Sequence, residues 1–316
     1  MTASENSLSG GNKHMVRYSS ILLAVLFVFS GCTAAKTVRN KVGKSLAFSG
    51  GHLKKKVLLL PFENHTFLQN DSVRNNAQKQ FLESLRQECG DCVLIGHADP
   101  DFPENFAEIP MHMSESPDNT ALVRMASETG VNAVVRGSIR NAESHEKEKG
   151  ILIFKDRHYF AAARMDFSVF DSGTGAKLLD ESIRREQETD GAAFDAIKAG
   201  QTASFNEINT LLENIAAEGG AKAGAAIRKQ VWQAYVSAVE GNRIRLSSGR
   251  ESGIRKGDFF EVFDRGEIIR GKNDRPFYIP GKKLGEMTAE EVSAGKTEGM
   301  FSGNGTVKAG DFVRLK

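Results

Sequence analysis

The sequence predicts an α/β (α+β) domain with a mixed sheet, followed by a small all-β barrel-like or sandwich domain. Three observations carry this. Between residues 57 and 139 short apolar runs alternate with amphipathic stretches of helical period, the pattern of a sheet built with parallel crossovers. From 164 to 183 two strand-like segments flank a glycine turn and add a meander to that sheet. Beyond 231 short strand-like segments follow one another between glycine turns.

Taken in order, Lys56 to Leu60 is a continuous apolar run stopped by Pro61, as expected of a strand buried on both faces. Ser72 to Glu88 predicts a helix, with Val73, Ala77, Phe81, Leu82 and Leu85 on one face and Arg74, Gln78, Lys79 and Arg86 on the other. A strand from Val93 to Gly96, a proline-bearing loop from Asp99 to Pro117 and a helix from Asn119 to Thr129 come next. Gly130 closes that helix as a C-cap. Val131 to Ile139 reads as a strand, and Arg164 to Phe170 and Lys177 to Ile183 as a hairpin around Asp171-Ser172-Gly173-Thr174-Gly175. From Gly191 to about Ile215 the spacing of Phe194, Ile197, Ala203, Phe205, Ile208, Leu211, Leu212 and Ile215 is helical, and Gly219-Gly220 are expected to break it. Residues 219–230, rich in Ala and Gly, then connect an α/β domain at 57–218 to a β domain at 231–316. Strands are expected there at Gln233 to Val239, Arg243 to Leu246, Asp258 to Phe263, Lys283 to Val292 and Asp311 to Leu315. Gly253-Ile-Arg-Lys-Gly-Asp258-Phe is echoed by Thr306-Val-Lys-Ala-Gly-Asp311-Phe, a repeated tight turn leading into a strand.

Hydrophobic residues at 40% and charged residues at 26% are globular values, and a formal net charge of +2 gives nucleic-acid binding no electrostatic basis. No glycine-rich phosphate loop and no Gly-x-Ser-x-Gly elbow occurs. His65, His97, His112, His145 and His158 include no pair at the i, i+4 spacing of a helical zinc site. His65 follows the first strand, where ligands often meet an α/β sheet, yet a lone loop histidine carries no spacing information. Met111, His112 and Met113 offer copper-type donors within what reads as an ordinary loop. Asp171-Ser172-Gly173-Thr174 matches the aspartic-protease signature, but that chemistry needs two copies and the chain has one, so the segment is read as a turn. Trp232 and Tyr235 are expected to pack between the domains. No catalytic, metal or cofactor site is predicted, and the chain is read as a non-enzyme.

The N-terminus is the informative segment. Lys13 and Arg17 precede an apolar run from Ile21 to Phe29, and the small residues Ser30 and Gly31 precede Cys32. The run is too short to span a bilayer, which takes about 20 residues. Residues 1–32 resemble a lipoprotein signal peptide with its lipobox, although Phe29 stands where leucine is commoner. The resemblance implies cleavage before Cys32 and acylation of its thiol and amino group, with Met1 and Met15 both open as the start. Thr33 in place of Asp points to the outer membrane, at its periplasmic face. From Thr33 to Lys56 the chain is basic, free of acidic residues and contains Gly50 and Gly51, a flexible tether. In an exported protein Cys89 and Cys92 are expected to form a disulfide; they follow a helix instead of opening one, so the device that activates a redox thiol is missing.

Val57-Leu-Leu-Leu-Pro-Phe-Glu-Asn-His-Thr66, Ala133-Val-Val-Arg-Gly-Ser138 and Val169-Phe-Asp-Ser-Gly-Thr-Gly-Ala-Lys177 resemble, in the same order, segments of a periplasmic lipoprotein group. That group includes the N-terminal domain of TolB, the penicillin-binding-protein activator lipoproteins and the curli-secretion lipoprotein. With the second domain added, the chain is similar to the middle and C-terminal domains of flagellar assembly protein T. The resemblance implies a scaffold that holds envelope proteins of flagellar, secretion or cell-wall machinery; a homo-oligomer follows from it alone. The alternatives are an activator that binds a peptidoglycan synthase, a thiol-disulfide enzyme at Cys89 and Cys92, and a curli-type channel subunit. The channel is disfavoured, because the segments that would face lipid carry Lys155, Asp156, Arg157 and His158 on both faces.

Overall fold

Strand β1 (Lys55–Leu59), buried along its whole length, lies beside two parallel neighbours, β3 (Cys92–Ile95) and β4 (Ala133–Ile151). The computed structural model describes residues 51–67, 71–100, 102–103, 118–151, 154–201 and 205–316. Strands β5 (Phe154–Asp171) and β6 (Lys177–Thr189) extend the sheet antiparallel in the order β3-β1-β4-β5-β6, and the short β2 (Glu63–Asn64) pairs with β4. The sheet is therefore mixed, as expected. Its meander is much longer than the periodicity indicated, because β4 and β5 continue past the apolar core as a charged ribbon.

Helices α1 (Asp71–Glu88) and α4 (Phe205–Lys229) cover one face. There Phe81 stacks on Phe167 at 5.3 Å and meets Phe62 edge-on at 5.3 Å. Helix α2 (Asn119–Thr129) covers part of the other face through Leu122 and Met125 against Leu58, Val134 and Phe170. Asp118 caps its N-terminus by accepting the Ala121 N–H (2.8 Å), and Gly130 ends it with φ 73°, as the sequence predicts. Helix α3 (Gly191–Lys198) is separate from α4, so one predicted helix is two.

Two predicted boundaries are corrected. Gly219 and Gly220 do not break a helix; they lie inside α4, whose path continues to Lys229. An added Cβ would fall 2.4 Å from the Phe167 ring at Gly219 and 2.2 Å from the Phe81 carbonyl at Gly220, so the pair marks close helix packing. The connection at 219–230 is thus largely helix. The tether also ends earlier than Lys56. Leu53 is 4% exposed and packs in the core of the second domain, and Lys55 is a buried β1 residue. Its Nζ donates to the carbonyls of Ile227 (2.9 Å) and Arg228 (3.0 Å) at the C-terminus of α4, while burial pulls its pKa down. Residues 33–50 lie outside the described residues.

Strands β7 (Ala234–Glu240), β8 (Arg243–Leu246), β9 (Phe259–Phe263), β12 (Lys283–Val292), β13 (Thr297–Gly303) and β14 (Phe312–Leu315) close a six-stranded antiparallel barrel, with β10 (Glu267–Arg270) and β11 (Pro276–Ile279) as a separate hairpin. The sequence echo is a structural one. Gly257 and Gly310 both take the left-handed region, at φ 91° and 92°. Asp258 and Asp311 each accept the backbone N–H three residues earlier, at 2.8 and 2.9 Å.

The described residues from His52 to Lys316 form one unit, so the two predicted domains share an interface. Asn132 donates to the Gln233 carbonyl (2.6 Å), Gln230 donates to Asn132 O and to Asp171 Oδ1 (both 2.8 Å), and Tyr278 N–H reaches the Thr174 carbonyl (3.0 Å). Tyr235 is buried beside Ala126 and Phe312, the packing expected of it. Trp232 stacks on Phe260 and donates to the Lys54 carbonyl at 3.1 Å, which clamps the entering chain.

Candidate functional site

Beyond α2 the second face of the sheet is polar and open. Alternation along the strands brings Arg136, Ser138 and Arg140 of β4 beside Asp166 and Ser168 of β5 and Asp180 and Ser182 of β6, around a groove of about 320 Å³. Charge is balanced within it. Arg136 holds both carboxylate oxygens of Glu63 (2.6 to 2.9 Å), Arg140 donates to Asp166 (2.8 Å), Arg164 to Ser182 (2.7 Å), and Ser168 to Asp180 (3.1 Å). Burial alone would raise the Glu63 carboxyl, but the hydrogen bonds and charges of Arg136 and His65 outweigh it and hold the group below the usual range. Asp166 is likewise lowered, its burial outweighed by Ser182, Arg140 and Arg164. The same face continues along the ribbon, where Lys147 and His145 meet Glu186, Lys149 and His158 meet Glu188 and Arg184 meets Glu143, while Lys155 meets Glu148 on the opposite face. Carboxylates and guanidinium groups fixed in such pairs suit contact with polar surfaces; among the described residues none of them forms a nucleophile with an adjacent base.

The residues singled out in the sequence are dispersed. Cys32 lies outside the described residues, as do Met111, His112 and Met113. Cys89, just past the end of α1, and Cys92, which opens β3, have Cα atoms 5.4 Å apart, inside the range a disulfide requires (about 4.4–6.8 Å). Asp91 stands beside them and makes the one cluster of three potential metal donors among the described residues. His65 contacts Glu63 at 2.9 Å and lines, with Asn64, Asp71 and Arg74, a cavity distinct from the groove. Asp171 accepts from Gly173 N–H (2.9 Å) and Thr174 Oγ1 (2.8 Å), so the protease-like signature is a hydrogen-bonded turn. The groove was missed because its residues are ordinary polar positions of alternating strands; only the alternation of Arg136, Ser138 and Arg140 signals it.

No family model matches the chain, and no curated protein matches it by sequence. Among solved structures it is similar to the hypothetical protein CT253 from Chlamydia trachomatis, at 16% identity and a TM-score of 0.33, covering 56% of this chain and 99% of that one. A PelC dodecamer from Paraburkholderia phytofirmans aligns at 14% identity and a TM-score of 0.29, covering 56% and 89%. Lipoprotein GNA1162 from Neisseria meningitidis aligns at 12% identity and 0.27, covering 49% and 99%. No described helix is long and apolar enough to cross a membrane.

Proposed function

We propose that this chain is a lipoprotein of the bacterial envelope, anchored through Cys32 to the outer membrane, and that its folded unit is a non-enzymatic scaffold for an envelope machine of the flagellar or secretion type. The observation that carries the reading is the basic, apolar and small-residue succession from Lys13 to Cys32. More than one acyl chain there supplies stable attachment without a spanning segment. A large polar face whose charges are already paired supports a holding role over a chemical one. Labelled palmitate is expected to enter the parent and not Cys32→Ser, and only the parent should fractionate with outer membranes. Equal labelling or equal fractionation of the two would remove the anchor. Crosslinking in intact envelopes is expected to place the parent in a larger assembly; a chain that stays monomeric and unattached removes the scaffold.

A further inference from the structure

Many of the exposed cations among the described residues sit beside carboxylates, while others, such as Lys79, Arg124 and Lys198, do not. On the barrel Arg243 and Arg245 hold Glu298, and Lys283 and Lys316 share Glu286. Around His52 this pattern stops. The Lys54 N–H donates to the Ser252 carbonyl (2.9 Å), and the Arg250 and Glu251 N–H groups donate to Ser293 (2.8 Å) and Ala294 (3.1 Å) in the turn that ends at Lys296. Asp258, which accepts the Arg255 N–H, is 3.0 Å from His52 Nε2. These bonds gather Lys54, Arg250, Arg255, Lys256 and Lys296 at one end of the barrel. All five are exposed, and none is paired with a carboxylate among the described residues. The nearby carboxylates are already engaged, Glu251 by Lys56 at 3.6 Å and Asp258 by His52.

We infer that this barrel end is a docking surface for an anionic lipid bilayer. Five charges without a carboxylate partner, Arg250 bonded only to the Val292 carbonyl (3.1 Å) and Ala294 and Phe259 the exposed apolar residues within three positions of them along the chain, lack the broad apolar centre of a protein interface and suit a diffuse sheet of headgroup phosphates. The overall charge of +2 leaves no wider field to favour nucleic acid. The inference deepens the lipoprotein reading but is tested without acyl chains, so the two can fail separately.

The full chain carrying Cys32→Ser is sedimented with vesicles of phosphatidylethanolamine and phosphatidylglycerol, or of phosphatidylcholine alone. Binding is expected to require the anionic lipid and to weaken as salt rises. Arg255→Gln/Lys256→Gln should lower the partition coefficient about fivefold per charge removed. Lys54→Gln/Lys296→Gln, on other segments of the same patch, should do the same and serves if the first pair perturbs folding, which circular dichroism reports. Removing two cations from the ribbon, Lys155→Gln/Arg157→Gln, should leave binding unchanged. Binding indifferent to lipid charge, an equal loss in the ribbon variant, or tighter retention on dextran sulfate than on vesicles overturns the proposal.

Discussion

Gly220→Ala separates two readings of the glycine pair by the sign of its effect. In a helix interior free of tertiary contact the change stabilises by about 1 kcal/mol, because alanine loses less backbone entropy on folding. In this fold the new Cβ would lie 2.2 Å from the Phe81 carbonyl oxygen, 3.0 Å from its carbon and 3.1 Å from Ser84 Cβ. The obstructing atoms are mainly backbone of α1, so no rotamer change relieves them and α1 and α4 must separate. Overpacking of this kind costs about 1–3 kcal/mol or more, and a backbone obstacle puts it at the upper end. The net expectation is a loss of about 2 kcal/mol, or roughly 4–8 °C in Tm for a unit of this size. Urea and thermal unfolding of the full chain measure it, with Ala221→Gly as the control, which should cost about 1 kcal/mol through propensity alone. A Gly220→Ala chain at least as stable as its parent refutes the close-packing argument.

The remaining predictions concern sulfur and pH. On the proposed function, protein recovered from the periplasm should have Cys89 and Cys92 resistant to thiol reagents until reduced, and Cys92→Ser should cost at most about 2 kcal/mol, since so short a loop removes little chain entropy; reactive thiols in the native protein would contradict the staple. The Glu63 carboxyl is lowered in the folded chain relative to its ordinary value of 4.5, so its contribution is present above that value and is lost as pH falls through the folded pKa. Unfolding midpoints from pH 6 down to about 3 should therefore fall more steeply for the parent than for Glu63→Gln; parallel curves would show that Arg136 does not stabilise the carboxylate.

Much of the architecture was legible because it is written in local period. The apolar stripe from Val73 to Leu85, the Gly130 cap and the Asp258 and Asp311 turns depend on neighbours within a few residues. The strand Thr297–Gly303 was not legible, since Thr-Glu-Gly-Met-Phe-Ser-Gly reads as loop; pairing with β12 on one side and β8 on the other overrides that composition. The full length of β4 and β5 was hidden for a related reason. Their ribbon is held by cross-strand ion pairs and backbone bonds, and carries no apolar alternation to detect.

By itself the sequence determined the order of the main elements, the mixed sheet followed by a β domain and the lipobox-like segment at Cys32, because each is set by residues adjacent in the chain. Only the tertiary structure decided that Gly219 and Gly220 are a packing surface, that Leu53 belongs to the barrel core, and that cations from 54, 250, 255, 256 and 296 share one face. Those facts depend on which distant segments touch, and short-range periodicity specifies an apolar face without naming the partner that covers it.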